Sequence, residues 1–263
     1  MASAEQDEVL SPEDRDFVTA LASGLEVILA FDEEHPRMTL SEVAARTGMN
    51  RARARRFLLT LHALGYVRKE QRVFELAPKV LKLGYSFLSA NNYRSVIQQV
   101  LEDITAACGE SSSLGVLDGE EVTYVARSSS RHRLMAITLS VGTRLPAAYT
   151  SMGRVLLAQL PDRELDAWFE RAVLERYTEK SITDKAELRR CIMAVRQQGY
   201  AIADQELDSG LRSIAVPAFD ANGKLLGALN ISTNAARIDH DTLLEEYLPL
   251  LQAKARLIRS LVS

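Results

Sequence analysis

Two helix starts and two helix stops stand within the short stretch from Thr39 to Gly65, and this punctuation restricts the fold more than any other feature of the chain. Thr39-Leu-Ser-Glu42 is a capping box, in which the hydroxyl and the carboxylate each satisfy a free backbone donor at a helix N-terminus. The helix it opens, about Leu40 to Thr47, stops at Gly48, and Asn50 is a good N-cap for a second helix reaching about Leu64. On that second helix Ala54, Phe57, Leu58, Leu61 and Leu64 make one apolar stripe. Arg51, Ala52, Arg53, Arg55 and Arg56 take the remaining surface near its start. Two helices joined by a tight glycine turn, the second basic at its beginning, are laid out as a helix-turn-helix.

Charge supports that layout. Between residues 46 and 72 eight arginines and lysines are opposed only by Glu70, a local +7 in a chain whose net charge is −3. A basic island in an acidic chain is the footprint of a polyanion site, although an arginine-rich helix is about as often a plain solvated face. The following residues favour the first reading. Tyr66 to Leu76 alternate around a polar Lys69-Glu70-Gln71-Arg72 tip, which predicts a small β-hairpin, a wing with basic residues where it can touch a phosphate backbone. A recognition helix enters the major groove N-terminal end first, and the planar arginine fork suits guanine edges and phosphates. The candidate DNA contacts are Thr39, Ser41, Asn50, Arg51, Ala52, Arg53, Arg55, Arg56, Lys69 and Arg72.

Elsewhere the chain reads as follows. Residues 1–16 are predicted to be a disordered tail, and Phe17 to Phe31 an amphipathic helix through Phe17, Val18, Leu21, Leu25, Ile28 and Leu29. Pro78 opens a linker helix over 78–92. A helix from Tyr93 to Cys108 ends at Gly109. The pattern then changes to strands: Ser113–Leu117 and Val122–Arg127 across Asp118-Gly119, Arg133–Val141, and a second hairpin, Ser213–Phe219 with Lys224–Ser232, across Asn222-Gly223. Helices are predicted at Ser151–Leu160, Asp162–Val173, Asp184–Gln198 and Asp239–Leu261. The class is α+β: a winged helix-turn-helix over 17–77, the linker, and a domain over 93–263 with an antiparallel sheet flanked by helices.

The exclusions are broad. The acidic, polar start predicts no secretory leader and a cytoplasmic protein, and no apolar run is long enough for a membrane span. Two distant cysteines, Cys108 and Cys191, with four scattered histidines, predict no disulfide framework, metal site or cofactor. No catalytic residues are predicted, since no nucleophile, phosphate-loop or zinc-hydrolase motif occurs. A thiol-redox enzyme and an architectural DNA-binding protein without a sensor remain as alternatives.

Several ordered motifs carry a family resemblance: LSEVAARTGMNRARARRFLLTLHALGYV (40–67), LKLGYSFLS (81–89), VGTRLPAAYTSMGRVLLA (141–158) and DQELDSGLRSIAVPAFDANGKLLGALNIS (204–232). From Asp16 to Val262 the chain resembles the IclR family of bacterial regulators, and within it the branch controlling aromatic-acid breakdown (protocatechuate, 4-hydroxybenzoate and β-ketoadipate regulators). The resemblance implies a winged helix, a linker helix and a GAF-like effector domain. It also implies a homodimer or tetramer on palindromic double-stranded operator DNA, with RNA polymerase a further partner if the chain activates. The implied effector is a small organic acid, aromatic or a ring-cleavage product, with a non-aromatic metabolite as the alternative. Ser151, at a predicted helix start, has free N–H groups and a helix dipole that favour a carboxylate. The resemblance sets Thr150, Ser151 and Met152 at the ligand, facing Leu211, Ser213 and Ala215, with Asn230 and Ser232 on the neighbouring strand. Where the family carries an acid after "GYA" this chain has Ala203, followed at once by Asp204, which joins the effector set, and soon by Glu206. Ala52 and Arg53 replace small hydroxyl residues of the family's recognition helix. Tyr124 and Tyr149 have either a stacking role on an aromatic ligand or a packing role.

Overall fold

The computed structural model describes residues 10–32, 34–84, 94–130 and 139–262. The chain divides into two compact units, Met1–Phe87 and Leu88–Ser263.

In the first unit, helices α1 (Thr19–Leu29), α2 (Leu40–Arg46) and α3 (Arg51–Ala63) pack around Val27, Met38, Val43, Leu58 and Phe74. The capping box forms as the spacing requires: the Thr39 N–H donates to Glu42 Oε2 (2.6 Å) and the Glu42 N–H to Thr39 Oγ1 (3.4 Å). The wing is the hairpin β2 (Val67–Glu70) and β3 (Val73–Leu76), turned at Gln71, whose φ of +52° is a left-handed conformation. A short strand absent from the sequence reading, β1 (Arg37–Thr39), completes a three-stranded sheet of order β1-β3-β2. It runs straight into the cap of α2 and has too few residues to show alternation, so only its partner β3 defines it.

Helix α1 corrects the amphipathic reading. Its buried positions are Ser23 and Val27, whereas Val18, Leu21, Leu25 and Leu29, the strongest apolar stripe, face solvent at 62%, 64%, 46% and 78% exposure. The domain core takes the small-residue side, where Gly24 lies beside Phe57 of α3. Of the segment read as a tail, residues 1–9 lie outside the described residues and 12–16 form turns. Pro78–Val80 is a 3-10 turn, not α-helix, and 81–84 are helical; the rest of the linker reading falls outside the described residues.

The second unit is built on a six-stranded antiparallel sheet of order β6-β5-β4-β9-β8-β7. Its strands are β4 (Ser111–Asp118), β5 (Glu121–Ser128), β6 (Arg144–Pro146), β7 (Ala201–Asp204), β8 (Leu211–Phe219) and β9 (Leu225–Asn234). Strand alternation sorts its side chains. Leu114, Ile214, Leu229 and Ile231 point to one face, against α4 (Arg94–Cys108) and the C-terminal helix α8. That last helix runs His240–Thr242, widens to a π turn over Leu243–Tyr247 and continues Leu248–Leu261. Val122, Tyr124, Ala215 and Ala228 point to the other face, against α5 (Ser151–Gln159), α6 (Asp162–Arg171) and α7 (Lys185–Gln198). Strands β6 and β7 were not read from sequence. The expected strand over 133–141 lies mostly outside the described residues, and 139–141 carry no strand.

Candidate functional site

The first candidate surface is the start of α3. Asn50 caps it, its Oδ1 accepting the Arg53 N–H (2.8 Å). Burial of Ala54, Leu58 and Leu61 turns the opposite side outward, where Arg51, Ala52, Arg55 and Arg56 are exposed. The first turn holds no acid. Cations there oppose the positive end of the helix dipole, and Arg51 and Arg55, one turn apart, repel each other. Neither they nor Arg56 form an ion pair among the described residues. A helix start that costs local stability in this way is the mark of a site whose counter-charge comes from outside.

The other basic residues divide. Arg53 is spent internally: it donates to Ser23 Oγ of α1 (2.6 Å) and lies 6.0 Å from the centre of the Phe57 ring, which ties α3 to α1. Arg46 pairs with Asp32 (2.5 Å). Thr39 and Asn50 are committed to their caps. On the wing, Arg37 neutralises Glu70 (2.7 Å) and leaves Arg68, Lys69 and Arg72 exposed. Arg68 was missing from the sequence set. Ser41 is exposed on α2.

The second candidate is a narrow cavity of about 20 Å³ between the α5 start and strands β8 and β9. A Cβ on Gly153 would stand 2.1 Å from the Ala147 carbonyl oxygen, so only glycine lets α5 begin directly behind the 3-10 turn Ala147–Tyr149. Thr150, rather than Ser151, caps the helix: its Oγ1 accepts the Gly153 N–H (3.0 Å). Ser151 is thereby released to donate to Ser213 Oγ across the cavity wall (2.8 Å), joining residues far apart in sequence. Thr150, Ser151, Leu211, Ser213, Asn230 and Ser232 all line this space. Met152 and Ala215 do not; both are fully buried beneath it, the Met152 sulfur against Gly115.

Asp204 also stands elsewhere. Its neighbour Ala203 lines the cavity, so alternation turns the Asp204 side chain to the opposite face. There it accepts from Arg212 Nε (2.7 Å) and Lys180 Nζ (2.8 Å). Burial works to raise its carboxyl, but these two partners outweigh it and hold the group well below the usual range. The acid at the cavity is Glu206, which sequence reading did not select. Arg154 of α5, itself buried, grips it with both terminal nitrogens and donates Nε to the Ala148 carbonyl (3.0 Å). Charged groups cannot stay buried without partners of this kind. An arginine inside the apolar run SMGRVLLA was the signal that an acid had to reach it.

Two aromatic residues complete the wall. Tyr124 and Tyr149 both line the cavity, and burial pushes the Tyr124 hydroxyl up to about 12, with Arg127 opposing. Tyr149 packs edge-on to Tyr177, with ring centres 5.1 Å apart. Leu139, Leu145, Ala203 and Leu207, none of them selected from sequence, supply apolar surface. Two polar atoms of the lining, the Tyr149 hydroxyl and Asn230 Oδ1, have no hydrogen-bond partner among the described residues. Asn230 is 2% exposed, its Nδ2 donates to Ser232 Oγ (2.8 Å), and its Oδ1 has no partner. A buried acceptor left open costs about 1–3 kcal/mol. The thiols offer no comparable chemistry: burial pushes Cys108 up, the opposite of what a reactive thiolate needs. Among the described residues no helix is long and apolar enough to cross a membrane.

Comparison with known proteins matches both parts of the chain to one family. Residues 20–71 match the IclR helix-turn-helix domain, and residues 85–260 match the bacterial transcriptional regulator IclR C-terminal domain. The chain is 44% identical over 243 residues to the Pca regulon regulatory protein of Pseudomonas putida, covering 92% of this chain and 84% of that one. It is 38% identical over 252 residues to the p-hydroxybenzoate hydroxylase transcriptional activator of Acinetobacter baylyi, covering 94% and 93%. Among solved structures, a transcriptional regulator from Rhodococcus sp. RHA1 superposes with a TM-score of 0.80 at 48% identity, over 93% of this chain and 98% of that one. The inducer-binding domain of the PobR transcription factor from Acinetobacter, as a double mutant in complex with 3-hydroxybenzoic acid, superposes with a TM-score of 0.60 at 35% identity, over 64% of this chain and 98% of that one. The chain belongs to the IclR family of bacterial transcriptional regulators, a DNA-binding head followed by the family's C-terminal domain and not an enzyme.

Proposed function

We propose that this regulator senses a small organic acid, an aromatic acid or its ring-cleavage product, in the cavity between α5, β8 and β9, and that binding there changes its hold on operator DNA. The observation that carries the reading is the buried, unpartnered Asn230 Oδ1 in a cavity walled by serine hydroxyls and tyrosine rings. Relatives named for the Pca regulon and for p-hydroxybenzoate hydroxylase, and a related domain holding 3-hydroxybenzoic acid, support the ligand class. On the DNA side Arg51, Arg55 and Arg56 read the major groove while Arg68, Lys69 and Arg72 touch phosphates. The ligand acts through unequal affinity for two conformations of the protein, which by linkage alters operator affinity by the same factor.

The acting species is a cytoplasmic homodimer or tetramer on a palindromic site. Supporting this are the outward stripe Val18, Leu21, Leu25 and Leu29 on α1 and the exposed Leu81 and Leu83 of the linker. Contact with RNA polymerase belongs to the reading only where the operator lies so as to activate. The test is fluorescence anisotropy on DNA flanking the gene, with and without protocatechuate, 4-hydroxybenzoate, muconate or β-ketoadipate. A saturable, sequence-dependent signal shifted by one of these acids supports the reading. Specific binding that none of them alters refutes the ligand class.

A further inference from the structure

Arg127 of β5 belongs to neither site so far described, and its setting is unusual for an arginine. It is half-buried, it interacts electrostatically with the Tyr124 side chain of the cavity wall, and burial pulls its pKa down. Among the described residues it meets no carboxylate. Its guanidinium donates instead to two hydroxyls, Ser113 Oγ (3.0 Å) and Ser129 Oγ (3.2 Å). A desolvated cation left with neutral partners is a cost that an arriving anion removes.

The sheet register shows where that anion would lie. Arg127 pairs with Ser113 on β4, Ser113 with Asn230 on β9, and Asn230 with Ala215 on β8. These four residues form one row across the sheet, on the face that carries the cavity. At about 4.8 Å per strand, the backbones of Arg127 and Asn230 are roughly 10 Å apart. The bond from Arg127 to Ser113 shows its side chain leaning along the row towards Asn230. The competing arginines are spent, Arg154 on Glu206 and Arg212 on Asp204. The open atom of Asn230 is an acceptor, and a carboxylate has only acceptors, so the two cannot satisfy each other.

We propose that Arg127, with Ser113, holds the effector's carboxylate at the β5 end of the cavity while Asn230 Oδ1 accepts a hydrogen from the ligand's hydroxyl, so that the sensed class is a hydroxylated or enolisable organic acid. This rests on the sensor reading above. It makes Arg127 a specificity-determining residue and turns the α5 N-terminus from the seat of the carboxylate into a neutral wall.

The test is calorimetric titration of full-length wild type, R127M and R127K with protocatechuate, 4-hydroxybenzoate and β-ketoadipate, and with the carboxamide of whichever acid binds. In R127M the acid is expected to bind at least about tenfold more weakly, the size of a charge-assisted hydrogen bond, while carboxamide affinity stays within about twofold. R127K is expected to recover most of the preference for acid over carboxamide. A folded R127M with the wild-type acid-to-carboxamide ratio overturns the assignment. Should R127M fail to fold, the wild type still decides, because equal affinity for acid and carboxamide overturns it too. A wild type that binds none of the acids removes the sensor reading itself, a different failure.

Discussion

Arg53 and Arg55 are neighbours but one, and the structure gives them opposite work. Arg53 is bonded to Ser23, whereas Arg55 stands in solvent without a counter-ion among the described residues. R55A and R56A are each expected to lower operator affinity by about 1–3 kcal/mol where they read a base, or to reduce the salt slope by about 1 where they touch a phosphate. R53A is expected to lower the melting temperature of the head instead. Anisotropy across a salt series, with melting curves, separates the two, and R55A or R56A with unchanged affinity and slope would refute the recognition surface. Asp204 carries a pH consequence. Its carboxyl titrates lower in the folded protein than in the unfolded chain, so its contribution to stability is complete above the unfolded value near 4 and fades as the pH falls towards the folded one. D204N is expected to lose on the order of 1–2 kcal/mol at pH 7, with the gap from wild type closing below about pH 4 in urea titrations. The site was legible in part for the same reasons. Ser213, Asn230 and Ser232 fall on one face by period-two counting and Ser151 stands at a helix start, whereas Glu206 sits in a loop with no period, and Arg127 stands on a strand that lines the cavity through a tyrosine.

Among elements, α5 depends on a single backbone approach. G153A brings a methyl group against the Ala147 carbonyl, which has no flexible end to move aside. The expected cost is about 3 kcal/mol, with the acid response lost while the head still binds DNA; a variant of wild-type melting temperature that still responds would show that α5 tolerates displacement. Long elements with caps were readable from sequence because each carries its own signals: the capping box of α2, the Asn50 cap of α3, the Gly199 stop of α7 and the Asp118-Gly119 and Asn222-Gly223 turns. Strands β1, β6 and β7 were not, since three or four residues show no period and their pairing is decided by β3, β5 and β8. Helix α1 misled in the other direction. Its apolar stripe is genuine, but it faces solvent, and the domain core takes the side of Ser23 and Val27.

For the whole molecule that stripe has a measurable consequence. Val18 and three leucines of α1 form an exposed apolar stripe that exceeds what scattered surface leucines explain, and the proposed dimer would bury it. An L21E/L25E variant is expected to sediment as a smaller species than wild type and to bind a half-site no more weakly than a full site. Equal sedimentation of the two proteins would place the association surface elsewhere. The charge asymmetry operates at the same scale, with the basic island confined to one unit of an acidic chain.

The unpaired arginines of α3 have a further result for the protein's life among chromosomes. Because no described residue balances them, any duplex of any sequence offers them company. Such a regulator spends its time sliding and hopping along DNA, not waiting free in solution. What a metabolite then adjusts is a partition: time on one short target against time on about a million or more decoys. A ligand that loosened both alike would leave every gene as it was.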